Sequence, residues 1–459
     1  MLEVVTIQTP ALGDRSYLIH DGAEAVVVDP QRDFGRVLAT AEAQRVQITH
    51  VLETHIHNDY ITGGLALASQ TGASYVVAAS EEVSFDRLAV HDNDQIITGS
   101  LTVTAMHTPG HTPGHVSYVL SETGGGPVAV FTGGSMLYGA VGRTDLISPD
   151  QTEPLTRAQY RSVRRLAAEL PDEVAVYPTH GIGSFCSATP TSGTSSTIGI
   201  ERQVNLALRT DEGAFVTELI TGLSAYPRYY AHMGPANRRG PRAPDLAWPE
   251  RADPAELRRR IDGGEWIVDL RERRAFARAH VTGTISVEFG DSFSTYLGWA
   301  IPWGTPLTLI GESPEQVAEA QLHLARIGID RIARAATGQS ETLAPDGKIS
   351  SYLVTDFGGL AAAWDRSGLV VLDVRRPDEW QAGHLAGAVH VPFWEIETRS
   401  SEVPGGEVWI YCASGLRASI AASVLDRAGR QVVHVDDDWE NAARSGLPVG
   451  CGSPERRSS

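Results

Sequence analysis

Histidines whose spacing suits metal binding occur in three separate segments of the chain. A His-x-His-x-Asp motif supplies His55, His57 and Asp59, and it follows an apolar segment. In an extended loop, side chains two positions apart project to the same side, so both imidazoles could bind one cation with the carboxylate close by. His111 follows a Pro-Gly turn, and His180 ends an apolar strand-like segment. We predict that these five residues are metal ligands, provided that the fold brings their segments together.

One cysteine stands where a strand is expected to give way to a helix. Cys412 follows the apolar run 408–411 and opens the loop Cys-Ala-Ser-Gly-Leu-Arg. A thiol at the start of a helix lies over unpaired backbone N–H groups and the positive end of the helix dipole, which favour the nucleophilic thiolate. Gly415 lets the loop turn tightly, and Arg417 supplies a fixed cation for an anionic donor such as thiosulfate. We predict catalytic roles for Cys412 and Arg417 and a substrate-binding role for Gly415.

The elements that must position these side chains fall into three predicted domains and one connector within the 459 residues. Residues 1–235 alternate short β-rich runs with Gly-rich turns and few helices, which predicts an α/β sandwich of two mixed sheets with helices outside. Residues 235–254 concentrate Pro, Gly and Arg, as an exposed connector does. The stretches 250–340 and 352–453 each predict a small parallel α/β domain. Their strands and helices return in the same order, which indicates an internal duplication.

The amino-acid composition argues against several classes of function. Lys and Arg total 38 and Asp and Glu total 56, and the resulting net charge of −18 opposes binding to nucleic acid or to an anionic membrane surface. The N-terminus has no basic region followed by an apolar core, and no stretch approaches the roughly 20 apolar residues of a membrane span, so we expect a cytoplasmic protein. Cys186, Cys412 and Cys451 are too few for a disulfide framework. We interpret Cys186 as a buried small residue.

Further sequence motifs in the same part of the chain support one metal site formed by these histidines. Together with Val28-Asp29-Pro30, Phe131-Thr132-Gly133-Gly134 and Gly142-Arg143-Thr144-Asp145, the pattern resembles the metallo-β-lactamase superfamily over roughly residues 1–230. Among its branches it is most similar to the glutathione persulfide dioxygenases that are fused to rhodanese domains. The resemblance implies an αββα sandwich with a mononuclear iron, at which a persulfide and O₂ give sulfite and the free thiol.

Two positions depart from this family pattern. The resemblance places the iron ligands at His55, His111 and Gly134, but glycine has no side chain to offer. Tyr60 stands where the motif normally closes with a histidine, so we do not expect a two-metal hydrolase. His55, His57 and His111 form a three-imidazole set that could hold one zinc or iron with an open coordination position.

The segment around Cys412 resembles single-domain rhodaneses over residues 352–450. The similarity lies in the Leu-Asp-Val-Arg run at 372–375, the Gly-His-Leu-Ala-Gly-Ala run at 383–388 and the Cys-x-x-Gly-x-Arg loop. It implies that Cys412 carries sulfane sulfur. In the preceding stretch the matching strand ends in Gly311-Glu312-Ser313-Pro314, without a cysteine, which indicates a catalytically silent rhodanese-like domain.

These patterns predict an enzyme of sulfide and persulfide metabolism, in which Cys412 is a sulfurtransferase nucleophile and the N-terminal site uses one divalent metal, iron or zinc. Its partners would be a small persulfide or thiosulfate, and the resemblance implies a homodimer. Arg143 would suit a glutathione carboxylate through a bidentate fork, although a structural ion pair with Asp145 explains it equally well. Two alternatives stay open: a mononuclear zinc hydrolase of thioesters such as acyl-glutathione, and a metal-free binding module fused to a sulfurtransferase.

Overall fold

The structure is a computed structural model that describes residues 2–189, 191 and 193–450. Cys451, and with it the end of the predicted domain 352–453, lies outside the described residues. Within the described part of the chain, no helix has both the length and the apolar composition needed to cross a lipid bilayer.

The chain divides into two compact units. The first comprises Met1–Pro244 with Ala325–Gly328, and the second comprises Asp245–Leu324 with Ile329–Ser459. The boundary at Pro244 falls inside the segment 235–254, in which the composition indicated a connector. The finer division of the second unit into two domains, at 250–340 and 352–453, stays a prediction.

The first unit contains two six-stranded sheets. Its strands are β1 (Glu3–Thr9), β2 (Asp14–His20), β3 (Glu24–Val28), β4 (Gln47–Leu52), β5 (Ser74–Ala78), β6 (Leu88–Val90), β7 (Gln95–Thr98), β8 (Leu101–His107), β9 (Val116–Glu122), β10 (Pro127–Gly133), β11 (Ala175–Pro178) and β12 (Ser196–Thr197). Its helices are α1 (Gly35–Gln44), α2 (Gly64–Thr71), α3 (Pro149–Glu169), α4 (Ile198–Val204), α5 (Leu206–Arg209), α6 (Glu212–Gly222) and α7 (Tyr230–Arg239). The strand orders are β1-β2-β3-β4-β5-β6 and β12-β11-β10-β9-β8-β7.

The main core of this unit lies between the two sheets. Tyr17 and Val28 from the first sheet join Val103 and Phe131 from the second in one buried cluster. A second cluster packs α1 and α2 on the outer face of the first sheet, and a third packs α3 to α6 on the outer face of the second sheet. Apolar burial on both faces of each sheet explains why strands such as β3 are continuous apolar runs. The predicted αββα sandwich is confirmed.

Two helices of this unit differ from the predictions. The sequence predicts a helix over residues 157–170, but helix α3 begins at Pro149, two turns earlier. Proline suits the first helical position, and Asp150 complements the helix dipole there. Helix α7 continues through Pro235 to Arg239, so the connector that was predicted to begin at Pro235 begins after the helix.

The second unit contains a four-stranded and a five-stranded sheet. Its strands are β13 (Trp266–Asp269), β14 (His280–Val281), β15 (Ile285–Ser286), β16 (Leu307–Gly311), β17 (Ile332–Thr337), β18 (Ile349–Ser350), β19 (Leu353–Thr355), β20 (Val370–Asp373), β21 (His384–Leu385), β22 (Val389–His390), β23 (Val408–Tyr411), β24 (Val432–Val435) and β25 (Val449–Gly450). Its α-helices are α8 (Pro254–Asp262), α9 (Arg273–Arg278), α10 (Phe293–Ala300), α11 (Pro314–Arg326), α12 (Ser340–Leu343), α13 (Phe357–Ala363), α14 (Pro377–Ala382), α15 (Ile396–Arg399), α16 (Leu416–Arg427) and α17 (Glu440–Arg444). Two 3₁₀ helices cover Phe393–Glu395 and Ser400–Glu402.

The two sheets of the second unit repeat one arrangement. Strand β13 pairs in parallel with β15 and β16, as β20 does with β22 and β23. An antiparallel two-stranded pair accompanies each sheet, β14 with β18 and β21 with β25. A buried ion pair also recurs, between Arg271 and Asp269 and between Arg375 and Asp373, each at 2.6 Å. We call residues 245–324 and 329–350 the middle half and residues 351–450 the C-terminal half of this unit.

Candidate functional site

The candidate metal ligands lie where strands of both sheets of the first unit end. His55, His57 and Asp59 follow β4, His111 lies between β8 and β9, and His180 follows β11. All five residues are buried, and their exposed fractions do not exceed 2%. The sandwich therefore brings the three predicted segments to one place.

The four histidines that were predicted as ligands form one cluster there. The ring centroid of His55 lies 4.0 Å from that of His57, 4.7 Å from that of His111 and 5.4 Å from that of His180. One potential ligand atom from each of His55, His57 and His180 lies within 4.8 Å of the others, and His180 forms a second group of this kind with His111 and Cys186. His180 is thus common to both groups of potential ligands.

Hydrogen bonds orient these rings. Nδ1 of His111 donates to the backbone carbonyl of Arg143 at 2.7 Å, and Nδ1 of His180 lies 2.9 Å from Oδ1 of Asp14. Nδ1 of His55 lies 2.9 Å from the hydroxyl of the preceding threonine. The Nε2 atoms of all three histidines are buried, and none has a hydrogen-bond partner among the described residues. Buried imidazole nitrogens that converge in this way fit the divalent zinc or iron that the fold family implies.

Acidic side chains surround His57. Its Nε2 lies 3.3 Å from Oδ1 of Asp29, 3.2 Å from Oε2 of Glu53 and 3.0 Å from the hydroxyl of Tyr60. Burial opposes the charged form, but Asp29 and Glu53 raise the pKa of His57 to about 10. Tyr60, which replaces the histidine of the family motif, is therefore a hydrogen-bond partner of His57. Metal binding by His57 would require the loss of its extra proton.

Three buried aspartates, Asp14, Asp29 and Asp59, also belong to the site. Of these, only Asp59 was among the predicted metal ligands. Asp29 accepts hydrogen bonds from the backbone N–H and the hydroxyl of Thr54, both at 2.7 Å, and another from Thr179, so it ties the loop after β4 to the loop after β11. Burial raises the pKa values of Asp14 and Asp59 to about 7. The Val-Asp-Pro run marked Asp29 in the sequence, whereas nothing around Asp14 distinguished it from an ordinary strand residue.

Gly134, which stands in place of the family's carboxylate ligand, packs directly against His111. A Cβ atom at Gly134 would lie 2.6 Å from Cγ and 2.8 Å from Nε2 of His111, and a Cβ atom at Gly142 would lie 2.7 Å from Nδ1 of the same ring. Neither position can accept a side chain unless the imidazole moves. The observed position of the His111 ring therefore leaves no room for a carboxylate side chain at position 134.

Arg143 has its guanidinium engaged within the protein. Nε and Nη2 form a fork on Asp145 at 2.7 and 2.8 Å, and the remaining contacts are with the carbonyls of Phe185 at 3.1 Å and Ser224 at 2.8 Å. The guanidinium also lies over the ring of Tyr226. These contacts match the structural alternative. Binding of a glutathione carboxylate by Arg143 stays a prediction, and it would require Asp145 to be displaced.

The Cys412 loop joins β23 to α16. Cys412 is 1% exposed. The sequence predicts a helix from Ala418, and α16 begins two residues earlier, at Leu416. Gly415 has a φ angle of 85°, and a Cβ atom there would lie 3.0 Å from Cα of Asp436. Only glycine fits this left-handed turn. The cysteine is thus located at the predicted strand-to-helix junction.

Arg417 is held beside this loop by a bidentate ion pair. Its Nη1 and Nη2 atoms donate to the carboxylate of Glu379 at 2.6 and 2.8 Å. Burial opposes ionisation of Glu379, but the hydrogen bonds from Arg417 lower its pKa to about 2. The pair is therefore ionised at neutral pH. Burial opposes the charged form of Arg417, but the hydrogen bonds with Glu379 raise the pKa of its guanidinium.

Residues of the middle half support the turn at Gly415. Arg273 donates to Oδ1 of Asp436 at 2.7 Å, and Arg274 forms a second ion pair with the same carboxylate. Nε2 of His434 lies 2.8 Å from the carbonyl oxygen of Gly415. The tight turn after Cys412 is thus packed against β24 and the segment that follows it, which the middle half holds in place.

Comparisons with known proteins agree with this geometry. The family model of the metallo-beta-lactamase superfamily matches residues 11–180, and that of the rhodanese-like domain matches residues 359–444. The human persulfide dioxygenase ETHE1, mitochondrial, is 30% identical over 239 residues, which are 50% of this chain and 83% of that protein. A hydroxyacylglutathione hydrolase from Cereibacter sphaeroides is 33% identical over 184 residues, which are 39% of this chain and 66% of that protein, slightly less than two thirds.

One solved structure extends the likeness beyond the first unit. The metallo-beta-lactamase from Staphylococcus aureus subsp. aureus COL aligns with a TM-score of 0.66 and 28% identity, over 74% of this chain and 99% of that chain. The sandwich, the histidine cluster and the sequence matches agree with one another. The chain therefore belongs to the metallo-β-lactamase superfamily and carries a rhodanese-like domain at residues 359–444.

Proposed function

We propose that this protein is a sulfurtransferase in which Cys412 accepts sulfane sulfur from a small anionic donor such as thiosulfate or a persulfide. The observation that carries the proposal is the loop itself, in which a buried cysteine ends β23, Gly415 makes the turn and Arg417 is fixed by Glu379. The N-terminus of α16 and the guanidinium both favour negative charge on sulfur at this position.

The proposed sulfur transfer takes place in two steps. The thiolate of Cys412 attacks the outer sulfur of thiosulfate, the S–S bond of the donor breaks, and sulfite leaves with the bonding electron pair. The cysteine then carries a persulfide. Cyanide, as a test acceptor, attacks the outer sulfur, so that thiocyanate leaves and the thiolate is restored. Arg417 is expected to orient the anionic donor and to stabilise the charge that moves during both steps.

Sulfur loading of the full chain tests this proposal. Incubation with thiosulfate should add the mass of one sulfur atom to the peptide that contains Cys412, and cyanide should remove it with release of an equal amount of thiocyanate. The peptides that contain Cys186 and Cys451 are internal controls and should stay unmodified. An unmodified Cys412 peptide in protein that still forms thiocyanate would rule out this nucleophile.

For the first unit we infer a metal-dependent site that oxidises a small persulfide. The ETHE1 relatives support this substrate class, and the unpartnered imidazoles of His55, His111 and His180 support the metal. One persulfide anion, one O₂ and one water molecule then give one thiol, one sulfite and one proton. When bound, iron would supply a centre at which O₂ and a thiolate can both coordinate. The residues around it would exclude bulk water, since all the proposed ligands are buried.

A second candidate for this site is a zinc-dependent thioester hydrolase. The 33% identity with a hydroxyacylglutathione hydrolase favours it, as does a nitrogen-rich donor set that suits zinc. Elemental analysis of protein purified without chelators, combined with O₂ uptake, separates the candidates. Near-stoichiometric iron and O₂ uptake on glutathione persulfide are expected for the dioxygenase. Acyl-glutathione hydrolysis without O₂ uptake would identify the hydrolase, and the absence of metal and of both activities would identify a binding module.

For the middle half we propose a rhodanese-like domain without a catalytic cysteine. The repeated strand pairing and the repeated Arg-Asp ion pair support this assignment. Strand β16, which corresponds to β23, is followed by Glu312 and Ser313 rather than by a cysteine. This domain would hold Asp436 through Arg273 and Arg274, and would thereby support the sulfur-transfer loop of the C-terminal half.

A further inference from the structure

Cys186 is a buried thiol that none of the roles above uses. It lies in the loop after β11 and has an exposed fraction of 0%. Its backbone carbonyl accepts a hydrogen bond from the N–H of Arg143 at 2.8 Å, and its own N–H donates to the hydroxyl of Ser184 at 3.2 Å. The backbone that carries the thiol is therefore held on both sides of the peptide unit.

The thiol points towards the histidine cluster. Its Sγ atom, a ring nitrogen of His111 and a ring nitrogen of His180 all lie within 4.8 Å of one another. Both histidines are completely buried, and their Nε2 atoms have no hydrogen-bond partner in the described ranges. A buried sulfur this close to two histidines that each have an unpaired, buried Nε2 atom fits the role of a third ligand.

The chemistry of the site also calls for an anionic ligand close to this position. A divalent cation in a buried pocket is costly unless anionic groups compensate its charge, and a thiolate would add to the carboxylates of Asp14 and Asp59 beside His180. The family's carboxylate is missing at Gly134, and the ring of His111 fills the space into which a side chain there would extend. A thiolate is a strong ligand of both zinc and ferrous iron.

We propose that Cys186 is a metal ligand, which together with His111 and His180 forms a mixed sulfur and nitrogen site and supplies the negative charge that Gly134 cannot. On binding, the metal–sulfur bond forms, the S–H bond breaks and the proton is released to solvent. This inference rests on the proposed metal site of the first unit, and it adds the identity of one of its ligands.

Cobalt(II) substitution in the full chain tests the proposal without any activity assay. The double variant Cys412→Ser/Cys451→Ser retains Cys186 as the single thiol. After loading with Co²⁺, this protein should show a near-ultraviolet sulfur-to-cobalt charge-transfer band together with the visible bands of a bound cobalt ion. Adding Cys186→Ala should abolish the charge-transfer band and weaken Zn²⁺ binding in a chelator competition by at least about tenfold.

The possible outcomes separate this proposal from the function on which it rests. Visible cobalt bands without a charge-transfer band in the single-thiol protein would show that histidines hold the metal alone, so the role of Cys186 would be refuted while the metal site stands. Absence of any cobalt spectrum would refute both. The single-thiol spectrum decides the question even where Cys186→Ala fails to fold.

Discussion

Replacing Cys412 by serine is expected to lower the rate of thiosulfate:cyanide sulfur transfer by at least about 1000-fold, equivalent to about 4 kcal/mol of lost transition-state stabilisation. A hydroxyl is a far weaker nucleophile than a thiolate, and it cannot carry sulfane sulfur as a persulfide. Serine is close to cysteine in size, so the buried position before α16 should still be filled. Thiocyanate formation under matched conditions measures the effect.

The matched control for this change is Cys451→Ser, which alters the third cysteine of the chain. We expect its transfer rate to stay within about twofold of the wild-type rate, because this variant keeps Cys412 and the rest of the Cys-x-x-Gly-x-Arg loop. Metal content should be equal in the two variants, because Cys412 lies in the second unit and the histidine cluster lies in the first. A Cys412→Ser protein that keeps a tenth or more of the wild-type rate would contradict the assignment.

Introducing an aspartate at Gly134 is expected to damage the metal site, although it restores the residue type of the family pattern. The new Cβ atom would stand 2.6 Å from Cγ of His111, so the imidazole would have to leave its position. Overpacking of this kind typically costs about 1–3 kcal/mol, which corresponds to a fall in Tm of several degrees, on the order of 5 °C. We expect bound metal to fall at least about tenfold, because His111 is displaced. Thermal unfolding and elemental analysis measure the two effects.

Gly126→Asp is the control for Gly134→Asp. Gly126 is exposed, and a Cβ atom there would have nothing within 4 Å. The same chemical change should therefore leave both Tm and metal content close to the wild-type values. If Gly134→Asp bound metal more tightly than the wild type without a fall in Tm, the ring of His111 would have room to move, and the packing argument would be wrong.

The predictions from sequence were most accurate where a local pattern carries the information. The apolar runs 266–269, 408–411 and 432–435 predict three strands, and the structure has strands with these same bounds. Each is a short apolar run between polar turns. The position of Cys412 between a strand and a helix follows from the same signal. The first turns of α3 were missed because their residues, apart from Pro149 and Asp150, carry no strong helical signal of their own.

Residue types and spacing by themselves determined the αββα sandwich, the histidine-rich site and the cysteine loop, because apolar periodicity and short motifs are local properties of the chain. Only the tertiary structure decided which of these side chains meet. It gathered the four histidines into one cluster, packed the ring of His111 against position 134 and brought Cys186 close to His111 and His180. Such contacts join residues that are far apart in sequence, and their distances depend on how two sheets pack, which no local pattern encodes.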